Sequence, residues 1–225
     1  MQQPKQQPEE NQHEALLAWF LDLWSQIEAN YTKILTGFGV AIAVVLIIVL
    51  MDSQNKQREE AAQAALGDVY IALFENRVSD AIVSAREVVD TYDGERPAQE
   101  ALMAMANLHF EEGRVAEARD LFETYLRKND TKGPLGYGAW AGLASCLEQE
   151  GKFAEAAKKF ADFVGQEPNS PFAAVSLKEA GRCYELASMS QQAIDVYQRI
   201  AKDYSESAVA RIATGQLSLM GVEVN

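Results

Sequence analysis

Histidine, cysteine and paired carboxylates are the side chains that most often carry bond-making chemistry, and this sequence is sparing with the first two. It has His13 and His109, and Cys146 and Cys183. The histidines are too far apart in the chain for one short segment to present both to a metal ion, which needs several such ligands together. His109 falls on the apolar side of a helical pattern and is expected to be a packed core residue. Asp and Glu are plentiful, 33 in all, but most fall at positions expected to face water, and no pair stands out as general acid and base. No phosphate loop, nucleophile elbow or His-Glu-x-x-His motif is present. The sequence therefore predicts no enzyme, no catalytic or metal-binding residues, no cofactor and no small-molecule substrate.

Charge narrows the partners. A formal net charge of −13 argues against nucleic acid, whose phosphates reward clustered Lys and Arg. Two cysteines cannot build a disulfide framework, so packing must supply the stability. The polar start of the chain, residues 1–12, reads as a disordered tail.

The elements that position everything else begin with an apolar run. From Ile34 to Met51 the chain reads "ILTGFGVAIAVVLIIVLM", uncharged and bounded by Lys33 and Asp52. At about 1.5 Å per residue the run reaches roughly 27 Å, close to the hydrocarbon thickness of a bilayer. A transmembrane helix over 31–52 is expected. A buried core helix is the alternative, but core helices usually keep a polar stripe. A cleaved signal peptide fits less well, because residues 1–33 are net acidic and no cleavage site adjoins the run. Lys5 and Lys33 before it nearly balance Lys56 and Arg58 after it, so flanking charge does not orient it. Ahead of the run, Leu16, Leu17, Phe20, Leu23, Trp24 and Ile27 recur at helical spacing, with Asp22, Ser25, Gln26 and Glu28 mainly opposite. This predicts an amphipathic juxtamembrane helix over 13–30, suited to the bilayer interface or to a partner protein there.

The remainder, 53–225, repeats itself. "GRVAEARDLFETYL" from Gly113 and "GKFAEAAKKFADFV" from Gly151 share their spacing of Gly, Ala and aromatic residues. Ala81, Ala118, Ala156 and Ala193 follow one another at intervals of 37, 38 and 37 residues. Five residues before each stands a turn residue: Asn76, Gly113, Gly151 and Ser188. Four after come Ala85, Phe122, Phe160 and Tyr197, and seven after come Val88, Tyr125, Phe163 and Ile200. Each unit is thus helix, short turn, helix. Surplus length is expected in the Pro- and Gly-bearing stretches between units. Past Ser205 one more helix is predicted to close the stack, with Ala208, Ile212 and Leu219 on its buried side.

This pattern resembles the tetratricopeptide repeat over roughly residues 60–205. Trp140, Leu143, Ala144, Gly151, Ala156, Phe160, Phe163 and Pro168 occupy its signature places in the third unit, and Leu177, Gly181, Tyr184, Ala193, Tyr197 and Ile200 in the fourth. The second carries Leu102, Met105, Ala106, Gly113, Ala118, Phe122 and Tyr125, whereas the first is degenerate, with Asp68 where an apolar residue belongs. The expected fold is all-α: a solenoid of about four helical hairpins and a capping helix behind one N-terminal transmembrane helix. Hairpins of this size cannot bury their apolar faces alone and must stack. Cys146 and Cys183 sit at equivalent places in successive units. Stacked helices lie roughly 8–10 Å apart and a disulfide needs Cα atoms within about 7 Å, so two free buried thiols are expected.

The resemblance implies that the first helix of each unit lines a groove for protein partners. Those positions carry Met103, Asn107, Phe110 and Glu111, then Ala141, Ser145, Glu148 and Gln149, then Lys178, Arg182, Glu185 and Leu186. Met103 and Phe110 favour binding over an idle solvated face, and the mixed charge suits a protein segment.

A short N-terminal segment, one anchor helix and a repeat domain together resemble the YfgM-type ancillary subunit of the bacterial Sec translocon. Phe20 to Ile47 is similar to that family's approach to the membrane. The resemblance implies a single-pass inner-membrane protein with its N-terminus in the cytoplasm and its repeats in the periplasm. There it would work with the translocon and a periplasmic chaperone on exported proteins. Glu167 to Glu185 resembles instead a cell-division and Tol-Pal coordinator, and a cytosol-facing anchored receptor is a further alternative.

Overall fold

A computed structural model describes residues 8–223, and every regular element in it is a helix. In chain order these are α1 (Pro8–Phe74), α2 (Val78–Thr91), α3 (Arg96–Glu111), α4 (Val115–Lys128), α5 (Gly133–Gln149), α6 (Phe153–Gln166), α7 (Ala173–Leu186), α8 (Ser190–Asp203) and α9 (Ala208–Leu219). The chain divides into two units, Met1–Gln57 and Arg58–Asn225.

In the first unit α1 leaves helical geometry at one residue, Asn30 (φ −120°, ψ 15°). That is where the sequence passes from the expected juxtamembrane helix to the expected span. Leu16, Leu17, Phe20, Leu23 and Trp24 are exposed, as is every side chain from Leu35 to Met51. The core-helix alternative is therefore not what the structure contains. Trp19 and Phe20 meet edge to face at 5.3 Å. The side chains of His13, Gln26, Ile27 and Ile34 lie outside the described residues. So do residues 1–7 of the tail expected over 1–12, while residues 8–12 belong to α1 rather than to a disordered segment.

The second unit opens with residues 58–74 of α1. These form a hairpin with α2, and α3–α4, α5–α6 and α7–α8 form three more, with α9 as a final single helix. From α2 onward each helix packs on the next, and α3 also meets α5, as α7 meets α9. This is serial nesting, the arrangement a repeat solenoid requires.

All four hairpins turn alike. Asn76, Gly113, Gly151 and Ser188 have φ of 59°, 73°, 74° and 58°. In each turn the left-handed residue's N–H donates to the carbonyl three residues back, and the next N–H reaches five back. Thus Gly113 donates to Phe110 (3.0 Å) and Arg114 to His109 (2.8 Å), and Ser188 to Glu185 (2.9 Å) and Met189 to Tyr184 (2.8 Å). The pair of bonds is the Schellman closure, which satisfies carbonyls that a helix end would otherwise orphan. Glycine takes this conformation freely, whereas Asn tolerates it and Ser does so at a cost.

The surplus over a shorter repeat is not confined to the loops. The second helices of all four hairpins have 14 residues, whereas α3 has 16 and α5 has 17. The longer α6–α7 connection, residues 167–172, makes up for the shorter α7, which has 14. Pro97 and Pro134 near the starts of α3 and α5 are compatible with a first helical turn, which has no partner for the missing N–H. The loop stretches read from sequence thus begin helices within them.

Packing explains the small residues. Ala81, Ala118, Ala156 and Ala193 are fully buried, and so are Ala106 and Ala144 on the facing helices. Phe122 and Phe163 are buried to 1% exposure, each burial contributing about 1.5–3 kcal/mol. Two glycines mark close approaches of a helix to an aromatic ring. A methyl group on Gly142 would enter the ring of Phe122, and one on Gly181 would meet Tyr197 at 2.6 Å. Ser176 ties α7 to α6 by donating its hydroxyl to the Phe160 carbonyl (2.9 Å).

At the ends of the stack the structure corrects one expectation and explains another. In α9 the buried residues are Ala210, Ala213 and Leu217, while Ala208, Ile212 and Leu219 are exposed. The helix is apolar on two sides. The Ser207 hydroxyl, accepting from the Ala210 N–H at 3.2 Å, caps it with the smaller face inward. Asp68 is exposed because, within the repeat unit, no hairpin precedes the first. Leu66, Val69 and Ala72 carry the buried side of that helix instead.

Candidate binding groove

Three first helices, α1, α3 and α5, line a groove of about 410 Å³. α1 supplies Tyr70 and Leu73, α3 supplies Glu100, Met103, Ala104, Asn107, Leu108 and Glu111, and α5 supplies Leu135. The volume falls at the low end of that of ligand clefts, about 300–1,000 Å³. Its floor is apolar, with Met103 and Leu108 nearly buried. Asn107 and Glu111 are exposed at its edge. Burial, then the neighbouring Glu100 carboxylate, pushes the Tyr70 phenol above its ordinary value, so it stays a neutral donor.

Of the sequence-predicted groove residues, Met103, Asn107 and Glu111 come together here. Phe110 does not, because its ring packs against the core of the first hairpins. Lys178, Arg182 and Glu185 lie along α7, where the charges pair among themselves. Arg182 donates to both Glu148 oxygens at 2.8 Å and to Glu179 at 2.8 Å. Lys178 sits 2.7 Å from Glu179, and Glu185 accepts from the Tyr197 hydroxyl at 2.6 Å. Burial opposes the Glu179 charge, but the two cations outweigh it and hold this carboxyl below its usual range. Ser145 is half-buried and Gln149 exposed on α5, both outside the groove. Ala141 is half-buried and Leu186 is 50% exposed, likewise outside it.

The α1 wall was not foreseen. The degenerate first unit hides its register, although Tyr70, Leu73 and Phe74, spaced i, i+3 and i+4 just ahead of the Asn76 turn, were the available signal. Phe74, one turn beyond Tyr70 on α1, stands outside this lining at 92% exposure.

The reactive side chains are built into the scaffold. His109 is buried; its Nδ1 accepts from the Arg114 Nε–H at 2.9 Å, which requires an unprotonated Nδ1. Burial and the Arg114 charge push its pKa below the ordinary value. Cys146 and Cys183 are free, and both are fully buried. Burial raises their pKa to about 11 and about 12, so neither is a nucleophile at neutral pH. Among the described residues no group of three or more His, Cys, Asp or Glu is placed to hold a metal ion.

Nested helical hairpins with left-handed turns and alanine crossings define the class: an α-solenoid repeat scaffold. Tetratricopeptide-repeat models match residues 69–131, 103–174 and 179–207, together more than half of the chain. The chain belongs to the tetratricopeptide-repeat family, whose fold is a protein-interaction scaffold.

Solved structures agree on the fold. A tetratricopeptide repeat protein from Parabacteroides merdae aligns with a TM-score of 0.56 and 16% identity over 72% of this chain and 60% of its own. YrrB, described as having an unusual peptide-binding site, aligns with a TM-score of 0.50 and 17% identity over 69% and 75%. MamA aligns at 0.51 and 13% over 73% and 79%. No curated protein matches the sequence significantly.

Proposed function

We propose that this chain is a membrane-anchored scaffold that holds a segment of another protein in the α1–α3–α5 groove. The observation that carries the reading is the groove itself: an apolar floor open to solvent, edged by Asn107 and Glu111, on a family of interaction scaffolds. The peptide-binding site of YrrB, on the same fold, supports a polypeptide as occupant. The anchor is supported by the long apolar helix within Glu28–Phe74, whose most apolar stretch is uncovered by protein.

The proposed setting is the bacterial inner membrane, with the N-terminus in the cytoplasm and the repeats in the periplasm, beside the translocon and a periplasmic chaperone. The likeness of Phe20–Ile47 to the translocon-associated family supports it. The chain would then receive emerging exported proteins by binding alone, with no chemistry of its own. A reporter active only outside the cytoplasm, fused after Asn225, should be active; an inactive fusion would support the cytosol-facing receptor instead. Cross-linking in native membranes followed by mass spectrometry should recover translocon and chaperone peptides. Recovery of division or Tol-Pal components would shift the reading to an envelope coordinator.

A further inference from the structure

We infer that the α1–α3–α5 groove selects a peptide segment that sets an apolar side chain beside a lysine or arginine. This rests on the reading of the groove as a peptide site and adds the chemistry of the peptide.

The two halves of the repeat unit treat their carboxylates differently. On α5 and α7, Glu148, Glu179 and Glu185 are all engaged by Arg182, Lys178 or the Tyr197 hydroxyl. In the groove, Glu111 is exposed and among the described residues has no ion-pair or hydrogen-bond partner. Glu100 has only Arg96, one turn back on the same helix and 80% exposed. Among the described residues, no lysine, arginine or histidine lines the groove. At Glu111 its edge therefore carries a negative charge without a partner above an apolar floor.

An apolar side chain seated on Met103 and Leu108 leaves a neighbouring basic residue within reach of Glu111. An acidic neighbour would meet like charge there. The overall charge of −13 draws cationic segments to the protein in the same sense. Phe74, one turn beyond Tyr70 on α1, gives the segment further apolar surface.

The test uses the full chain in detergent micelles and fluorescence anisotropy with three labelled nonapeptides, centred on Leu-Lys, Leu-Gln and Leu-Glu. The Leu-Lys peptide should bind tightest, and Leu-Glu at least about tenfold more weakly. Glu111→Gln should weaken the Leu-Lys peptide about fivefold and leave the Leu-Gln peptide unchanged. Lys158→Ala, on the exposed side of α6, should change neither. Equal affinity for the three peptides, or no effect of Glu111→Gln, overturns the charge preference. Asn107→Arg separates the two readings, since it puts a cation into the groove at an exposed site without touching the core. If it weakens every peptide while charge makes no difference, the groove stands and the preference falls. If it weakens none, or if no peptide binds, the groove itself is overturned and the preference with it.

Discussion

Ser188 occupies, at φ 58°, the turn position that glycine fills at Gly113 and Gly151. Side chains there crowd the backbone, so Ser188→Gly should raise stability by about 0.5–1 kcal/mol, with a smaller gain for Asn76→Gly because Asn accepts this conformation more readily. Thermal melting decides it: a lower melting temperature for Ser188→Gly would contradict the strain. His109 makes the second prediction at this scale. Its pKa is lowered in the fold from about 6.5, by burial and by Arg114, so the unfolded chain binds the proton more readily. The stability from its neutral form is fully present above pH 6.5 and is lost as pH falls through the lowered folded value. The loss of melting temperature from pH 7 to pH 5 should therefore be smaller in His109→Leu than in the parent chain, and equal losses would contradict this. The turn residues were legible because their places recur with the alanines, and so was the burial of His109 and the cysteines. The Arg114 hydrogen bond was not, because it depends on the Schellman turn folding the chain back across the end of α3.

Among the elements, the hairpin crossing carries most weight. Ala156 is fully buried in the third hairpin, where Ala144 is equally enclosed. Ala156→Leu should overpack this contact and cost about 1–3 kcal/mol; an unchanged melting temperature would show the crossing to be placed wrongly. Helix type, order and turn positions followed from the 37- and 38-residue intervals because one constraint, close approach at alanine, recurs in each unit. Helix starts were harder to read, since Pro97 and Pro134 suit both a loop and a first helical turn. The buried face of α9 differs from the expected one, with Ala210, Ala213 and Leu217 inward in place of Ala208, Ile212 and Leu219, because apolar residues lie on two sides of this helix. Packing against α8 admits the smaller face.

At the scale of the whole molecule, the repeat unit brings α1, α3 and α5 together although their groove residues span Tyr70 to Leu135. Three of the nine lining residues, Met103, Asn107 and Glu111, were visible in the sequence. The α1 wall was hidden by Asp68, which breaks the repeat signature at the one hairpin with none before it. The charged residues of α5 and α7 read as a binding face but are largely spent on one another, and pairing of that kind cannot be seen in a linear pattern. The central claim is that the groove of the first hairpins, rather than the outer surface of the solenoid, holds the partner. Site-specific photo-cross-linking in native membranes, with the probe at Asn107 in one sample and at Lys158 in another, tests it most directly. The account predicts a discrete protein adduct from Asn107 and little or none from Lys158; adducts of equal strength from both, or from Lys158 alone, would contradict it.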